Sequence, residues 1–356
     1  MVLMRLHWFL PTGGDSRYVG AVTVTEGRTA AAAVRPPSVD YLSQVARAAE
    51  SSGFDAVLTP VGIGCEDPWV LCAAVAQHTS TLRFLVAFRP GFASPTLLAQ
   101  QAATFQRMTG DRLLLNVVTG GDPVEQRMYG DALEHDARYA RTAEHLEALD
   151  RLFAGEPFDL HGQHLDLEGA RLTLAAPKPP VYFGGASPAA ERVAARWADT
   201  YLTWGEPPAM VRERVERVQK LAADEGRELS FGIRLHVIAR DTPEEAWREA
   251  DRLLEAMDPA AIAAAQERYS RMDSVGQARM TALHGGTAAS LQISPNLWAG
   301  AGLVREGAAT ALVGSYEQVA ERLDEYRRLG FTEAILSGWP HLEEAYRVGE
   351  QVAPLL

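Results

Sequence analysis

Cysteine is nearly absent from this chain. Of 356 residues only Cys65 and Cys72 are cysteines, too few for a disulfide framework or a cysteine-rich zinc site. The nine histidines include no His-Glu-x-x-His or His-x-His spacing, so no metal site is expected. Basic residues are outnumbered, 34 against 46 acidic, and the net charge of −12 excludes a general affinity for nucleic acid or anionic membranes. Long apolar runs are missing as well, since no stretch of about 18 apolar residues occurs. Arg5 and His7 interrupt the opening segment, which predicts no signal peptide and a cytoplasmic protein. No strand is followed by Gly-x-Gly-x-x-Gly, and neither a phosphate-binding P-loop nor a Gly-x-Ser-x-Gly elbow is present.

What remains is an ordinary globular composition, 47% hydrophobic and 22% charged. At this length about 75% of the unfolded surface can be buried without metal or disulfide staples. Eight short runs rich in β-branched and aromatic residues read as strands. They are Arg5–Pro11, Ala56–Pro60, Arg83–Phe88, Arg112–Val118, Val181–Gly185, Thr200–Trp204, Ser230–Ala239 and Ala334–Gly338. Helical patterns fall between them, and strand–helix alternation implies parallel pairing through right-handed crossovers. Eight such units predict a closed (β/α)8 TIM barrel in one domain spanning 1–356. A doubly wound open sheet ranks lower for want of the glycine fingerprint. Ser94-Pro95 and Ser187-Pro188 read as helix starts, and Thr242–Glu245 and Ser315–Gln318 as capping boxes.

Three segments exceed a minimal barrel. Thr12–Pro37 is a Gly/Ala/Thr-rich connection, and Phe158–Leu174 reads as a small hairpin. The largest insertion, 259–311, lies between strands seven and eight, with two helical stretches expected around Gly285-Gly286. An insertion on that loop belongs over the active-site face, which predicts a mobile lid.

Functional groups of such barrels gather at the C-terminal strand ends. Arg234 and His236 stand two apart on strand seven, so both face one side, and a lumen-facing pair is an anion site. The alternative is an outward Arg234 and a satisfied, buried His236. Gly184-Gly185-Ala186-Ser187 leads into a helix start and suits a phosphate, or is an ordinary tight turn. Trp204 and Trp339 end two strands, as walls for an aromatic ligand or as plugs. Cys65 follows a strand end, where a small packing residue is the commoner outcome, and Cys72 reads as core.

Longer strings carry a resemblance. They include Trp8-Phe-Leu-Pro-Thr12, Cys65-Glu-Asp67, Asn116-Val-Val-Thr-Gly120, Tyr201-Leu-Thr-Trp-Gly-Glu-Pro207, Phe231-Gly-Ile-Arg-Leu-His-Val237, Ile293-Ser-Pro-Asn-Leu-Trp298 and Pro340-His-Leu-Glu-Glu344. In these the chain resembles the bacterial-luciferase-like flavin monooxygenases, and within them the two-component alkanesulfonate monooxygenases. The resemblance implies a homo-oligomer, dimer or tetramer. It implies reduced FMN delivered by a separate NAD(P)H-dependent flavin reductase, with O2 as co-substrate and a C–S bond cleaved to aldehyde and sulfite. It places Arg234, His236, Arg305, Trp204, Trp339 and Cys65 on the catalytic and sulfonate side. Phe9, Asn116, Tyr139, Gly185, Ala186 and Ser187 fall on the flavin side. Two departures stand out. Trp339 occupies the place of a usual Tyr, and Gly13 that of a usual His, which leaves room for a sulfone or other organic substrate. A non-catalytic flavin binder and an F420-dependent oxidoreductase are the rival readings. Retention of Arg234, His236 and Arg305 weighs against the first, and the shared strings against the second.

Overall fold

The structure, a computed structural model, describes residues 3–19 and 35–356. Residues 20–34, within the expected Thr12–Pro37 connection, lie outside the described residues. Eight strands form the ring: β1 (Arg5–Phe9), β2 (Ala56–Thr59), β3 (Arg83–Phe88), β4 (Leu113–Val117), β5 (Val181–Gly184), β6 (Thr200–Trp204), β7 (Ser230–Arg240) and β8 (Phe331–Ser337). Each pairs in parallel with its neighbours, and the β6–β7 and β8–β1 pairings close the circle. This is the expected (β/α)8 barrel, with strand limits shifted by a few residues at most.

Alternation places each side chain. On β1, Trp8 points outward into the layer shared with the helices, and Phe9 points into the lumen with Leu58, Leu85, Leu114, Leu202 and Ile335. Below them, buried Glu333 pairs with His7 Nε2 at 2.9 Å and with Arg5. That cluster and the apolar layer fill the lower barrel, so a ligand must enter from the C-terminal end.

The helix starts form where expected, although Thr242–Glu245 makes only the Thr242 half of its capping box. Ser94, Ser187 and Thr242 each accept a hydrogen bond from the backbone N–H three residues on, and Ser315 with Gln318 makes a complete capping box. The hairpin is present as Phe158–His161 against Asp166–Ala170.

The insertion departs from expectation in two ways. Both of its helices, Pro259–Ser270 and Val275–His284, precede Gly285-Gly286 instead of flanking it. Gly285, at φ 58°, is the left-handed residue that ends the second helix, its N–H donating to the Thr281 carbonyl. A further strand, Ala311–Ser315, was not among the eight. β7 is long enough, at 11 residues, to take two partners in succession. Its Ser230–Arg234 half pairs with β6 inside the ring, and its His236–Arg240 half pairs in parallel with Ala311–Ser315 outside it. Leu297–Trp298 and Gln292–Ser294 extend the same sheet antiparallel beyond Ala311–Ser315. Arg234 and His236 thus stand where β7 leaves the barrel.

Candidate functional site

A cavity of about 720 Å³ opens at the C-terminal ends of the strands. Its size is that of a cofactor or small-molecule site. Eleven of the twelve sequence candidates line it; His236 alone does not. The insertion forms one wall through Ser274–Gln277 and Arg305–Ala308.

Arg234 and His236 do share the lumen face. Arg234 is held from three sides, by the Leu235 carbonyl at 2.5 Å, the Ile335 carbonyl at 3.4 Å and Ser337 Oγ at 2.8 Å. Its guanidinium lies 4.8 Å over the Phe9 ring, and that of Arg305 lies 5.4 Å over the same ring. Among the described residues neither arginine is paired with a carboxylate, and Arg305 Nε is buried without a partner. Burial lowers the proton affinity of both, and Arg305 lowers that of Arg234 further. Two neighbouring guanidiniums without a counterion make a site that an oxyanion completes.

His236 is fully buried and spends both nitrogens on the protein. Nε2 lies 3.1 Å from the Ala308 carbonyl and Nδ1 2.6 Å from Ser337 Oγ. Burial first, then Arg234, Arg305 and His341, push its pKa well below the usual histidine value, so the ring is neutral. Trp339 stacks on it at 4.3 Å, with an angle of 18° between the rings. The Trp339 side chain packs into the same cluster as Trp298, Leu303 and Val304 of the insertion.

Trp204, at the end of β6, is covered by the insertion so closely that a Cβ on Gly276 would sit 2.9 Å from its ring. Cys65 lines the cavity as a neutral thiol, since burial raises its pKa against the pull of Thr12 and Arg305. Cys72 is core, beside Thr59.

The opposite wall is built from β4, β5 and the helix Pro188–Trp197. Gly185 has φ 142°, and a Cβ there would meet Ala190 Cβ at 2.5 Å and Tyr139 Oη at 3.3 Å. Only glycine fits. Its carbonyl accepts from the Tyr201 hydroxyl, and Ser187 Oγ caps the helix through Ala190 N at 3.2 Å. Burial raises the Tyr139 pKa while Ser187 hydrogen-bonds its hydroxyl, so Tyr139 is a neutral donor beside the helix N-terminus. A phosphate fits this cradle. Asn116, buried at the end of β4, and Phe9, under the two arginines, line the same cavity.

Sequence reasoning missed three groups. Asp15 and His341 form a buried pair 326 positions apart, with Oδ1 to Nδ1 2.8 Å. Glu206, buried at the end of β6, binds Arg214 and the insertion's Arg279. Arg138 binds the insertion's Asp273 through both carboxylate oxygens, at 2.8 and 2.7 Å. Only the strings that hold Glu206 and His341 hinted at them, since no local spacing links residues so far apart.

Comparison with known proteins gives the same architecture. Residues 4–333 match the family model described as luciferase-like monooxygenase. Among solved structures, the EDTA monooxygenase of Chelativorans sp. BNC1 is 20% identical with a TM-score of 0.77, covering 99% of this chain and 93% of that one. A riboflavin lyase solved with modified FMN and riboflavin is 18% identical with a TM-score of 0.81, covering 99% and 91%. The coenzyme F420-dependent tetrahydromethanopterin reductase of Methanopyrus kandleri is 16% identical with a TM-score of 0.70, covering 99% of both chains. At these identities the likeness is one of fold. No helix among the described residues is long and apolar enough to cross a membrane.

Proposed function

The chain belongs to the luciferase-like monooxygenase family, and from that premise we propose that it is a flavin-dependent monooxygenase acting on an organosulfonate. Reduced FMN comes from a separate NAD(P)H-dependent reductase, O2 is the co-substrate, and aldehyde and sulfite are the products. The observation that carries the reading is the pair of buried guanidiniums, Arg234 and Arg305, that share the Phe9 face with no carboxylate partner among the described residues. A sulfonate supplies the missing charge and enough oxygens for both forks. The modified FMN in the riboflavin lyase relative supports a flavin. So does the cradle of Gly185, Ser187 and Tyr139, which suits the FMN phosphate.

Reduced FMN, when bound, supplies the electrons that activate oxygen. The residues of this chain supply the rest. Tyr139, Ser187 and the helix N-terminus hold the phosphate, Asn116 and Phe9 border the ring, and Arg234 and Arg305 hold the sulfonate. Trp204 and the insertion over it exclude water.

The test combines the protein with FMN, a flavin reductase, NADPH and a panel of alkyl and aryl sulfonates, with sulfite as the readout. Sulfite release is expected, and its absence with every sulfonate would sink the substrate assignment. Removing one partner of a desolvated ion pair costs about 2–5 kcal/mol, so Arg234→Ala should lose roughly 30-fold or more in kcat/KM. Turnover in the presence of F420 instead of FMN would overturn the flavin assignment.

A second reading rests on Trp339. An indole stacked on His236 offers an N–H donor and no acceptor, where a tyrosine hydroxyl offers both. It favours a substrate with an apolar or aromatic group, a sulfone included. In that case Trp339→Tyr shifts kcat/KM towards simple alkanesulfonates; an unchanged profile removes Trp339 from specificity.

A further inference from the structure

Two histidines stand beside the arginines, and their hydrogen bonds assign them opposite roles. A carbonyl only accepts, so His236 Nε2 donates to Ala308 and its Nδ1 accepts from the Ser337 hydroxyl. Ser337 Oγ in turn accepts from Arg234 Nη2 at 2.8 Å. The chain Arg234–Ser337–His236–Ala308 is complete and leaves the imidazole no free atom for a ligand. His341 is the reverse. Its Nδ1 donates to Asp15 Oδ1 at 2.8 Å, and its backbone N–H donates to Asp15 Oδ2 at 2.8 Å. The Tyr41 hydroxyl also donates to Asp15. These bonds and the nearby His341 hold the Asp15 carboxyl below its usual range although burial pushes it up. The far edge of the His341 ring carries Nε2, buried and, among the described residues, without a partner, on a side chain that lines the cavity. A carboxylate on Nδ1 and a bare Nε2 is the arrangement of an oriented general base.

We propose that His341, oriented by Asp15, takes up the proton released when the carbon–sulfur bond breaks, and that His236 is a positioning residue for Arg234. The proposal rests on the organosulfonate reading above. Oxygenation at the carbon bearing the sulfonate gives an α-hydroxysulfonate. His341 Nε2 takes the hydroxyl proton, the O–H electron pair forms the C=O bond, and the C–S pair leaves with sulfite. Hydroxysulfonate and neutral imidazole become aldehyde, sulfite dianion and imidazolium, so atoms and charge balance without an oxidant. Arg234 and Arg305 hold the departing sulfite.

This step is open to test without flavin, because an aldehyde–bisulfite adduct is itself an α-hydroxysulfonate. The apoprotein should accelerate sulfite release from the propanal adduct over buffer. General-base catalysis is worth about 100-fold or more, and His341→Gln should lose that factor. Added imidazole should restore His341→Ala and leave His236→Ala unrescued, while His236→Gln raises KM more than it lowers kcat. Nitrogen-15 spectra of histidine-labelled protein should show His236 with its proton on Nε2 and His341 with its proton on Nδ1. Absence of acceleration by the wild-type apoprotein, His341→Gln equal to wild type, imidazole rescue of His236→Ala, or the reverse tautomers would each overturn the proposal. The flavin-coupled assay decides the organosulfonate reading separately.

Discussion

Single residues set the limits of the site. Gly185 is the sharpest case, because its φ of 142° and the 2.5 Å approach of Ala190 leave no room for a Cβ. Forcing one in costs about 1–3 kcal/mol. Gly185→Ala should weaken FMN binding roughly 10-fold or more by titration, and an unchanged affinity would remove this turn from the flavin site. Cys65 gives a second check. Its raised pKa keeps it a thiol at neutral pH, so it should react with iodoacetamide more slowly than free cysteine. Cys72, fully buried with its pKa pushed up to about 12, should react only after unfolding. Mass spectrometry of the alkylated protein separates the two; fast modification of Cys65 would show a thiolate there. At this scale the sequence was informative about identity and silent about partners. Period-two spacing put Arg234 and His236 on one face, but only the contacts show that His236 has both nitrogens engaged.

At the level of elements, the insertion is bolted to the barrel by two ion pairs that bracket the cavity wall. Asp273, just before the helix Val275–His284, binds Arg138, and Arg279, within it, binds Glu206. In each case the barrel partner is buried and the insertion partner is half-buried. Glu206 serves both Arg214 and Arg279, and removing the shared member of a buried cluster costs about 3–5 kcal/mol. Arg279 is about a third exposed, so its removal costs less. Glu206→Gln should therefore speed proteolysis across 271–287 more than Arg279→Ala does. Equal rates in both variants and wild type would mean that the clamps do not hold this wall. That the insertion holds two helices was legible in the sequence, but not their place, since both precede Gly285-Gly286. The strand Ala311–Ser315 was not legible, because its partner is the outer half of β7, and no local pattern shows that one strand takes two partners in succession.

Across the whole molecule, buried neutral histidines tie stability to acidity. His236 and His145 both have pKa values lowered, chiefly by burial. Above pH 6.5 each is neutral whether folded or unfolded, and contributes nothing to the pH dependence. Below 6.5 the unfolded chain binds protons that the folded one refuses, so stability falls as the pH falls. Urea unfolding between pH 7.5 and 5.5 should show this loss, and His236→Gln should flatten it. An unaltered slope in that variant would show that His236 takes a proton in the folded state. Asp15 adds a loss at lower pH, as its depressed carboxyl is finally protonated.

The sequence by itself determined the barrel, since eight apolar strands alternating with capped helices have few other ways to bury both faces of a parallel sheet. It also determined most of the cavity wall, because strand ends converge in this fold wherever they lie in the chain. Tertiary structure decided the chemistry of the groups behind that wall. Asp15 meets His341 only because ring closure sets β1 beside β8. Ser337 links Arg234 to His236 only because β8 lies against β7. A hydrogen bond depends on distance and direction to a fraction of an ångström, and residues 326 apart in the chain acquire these only when the whole barrel closes.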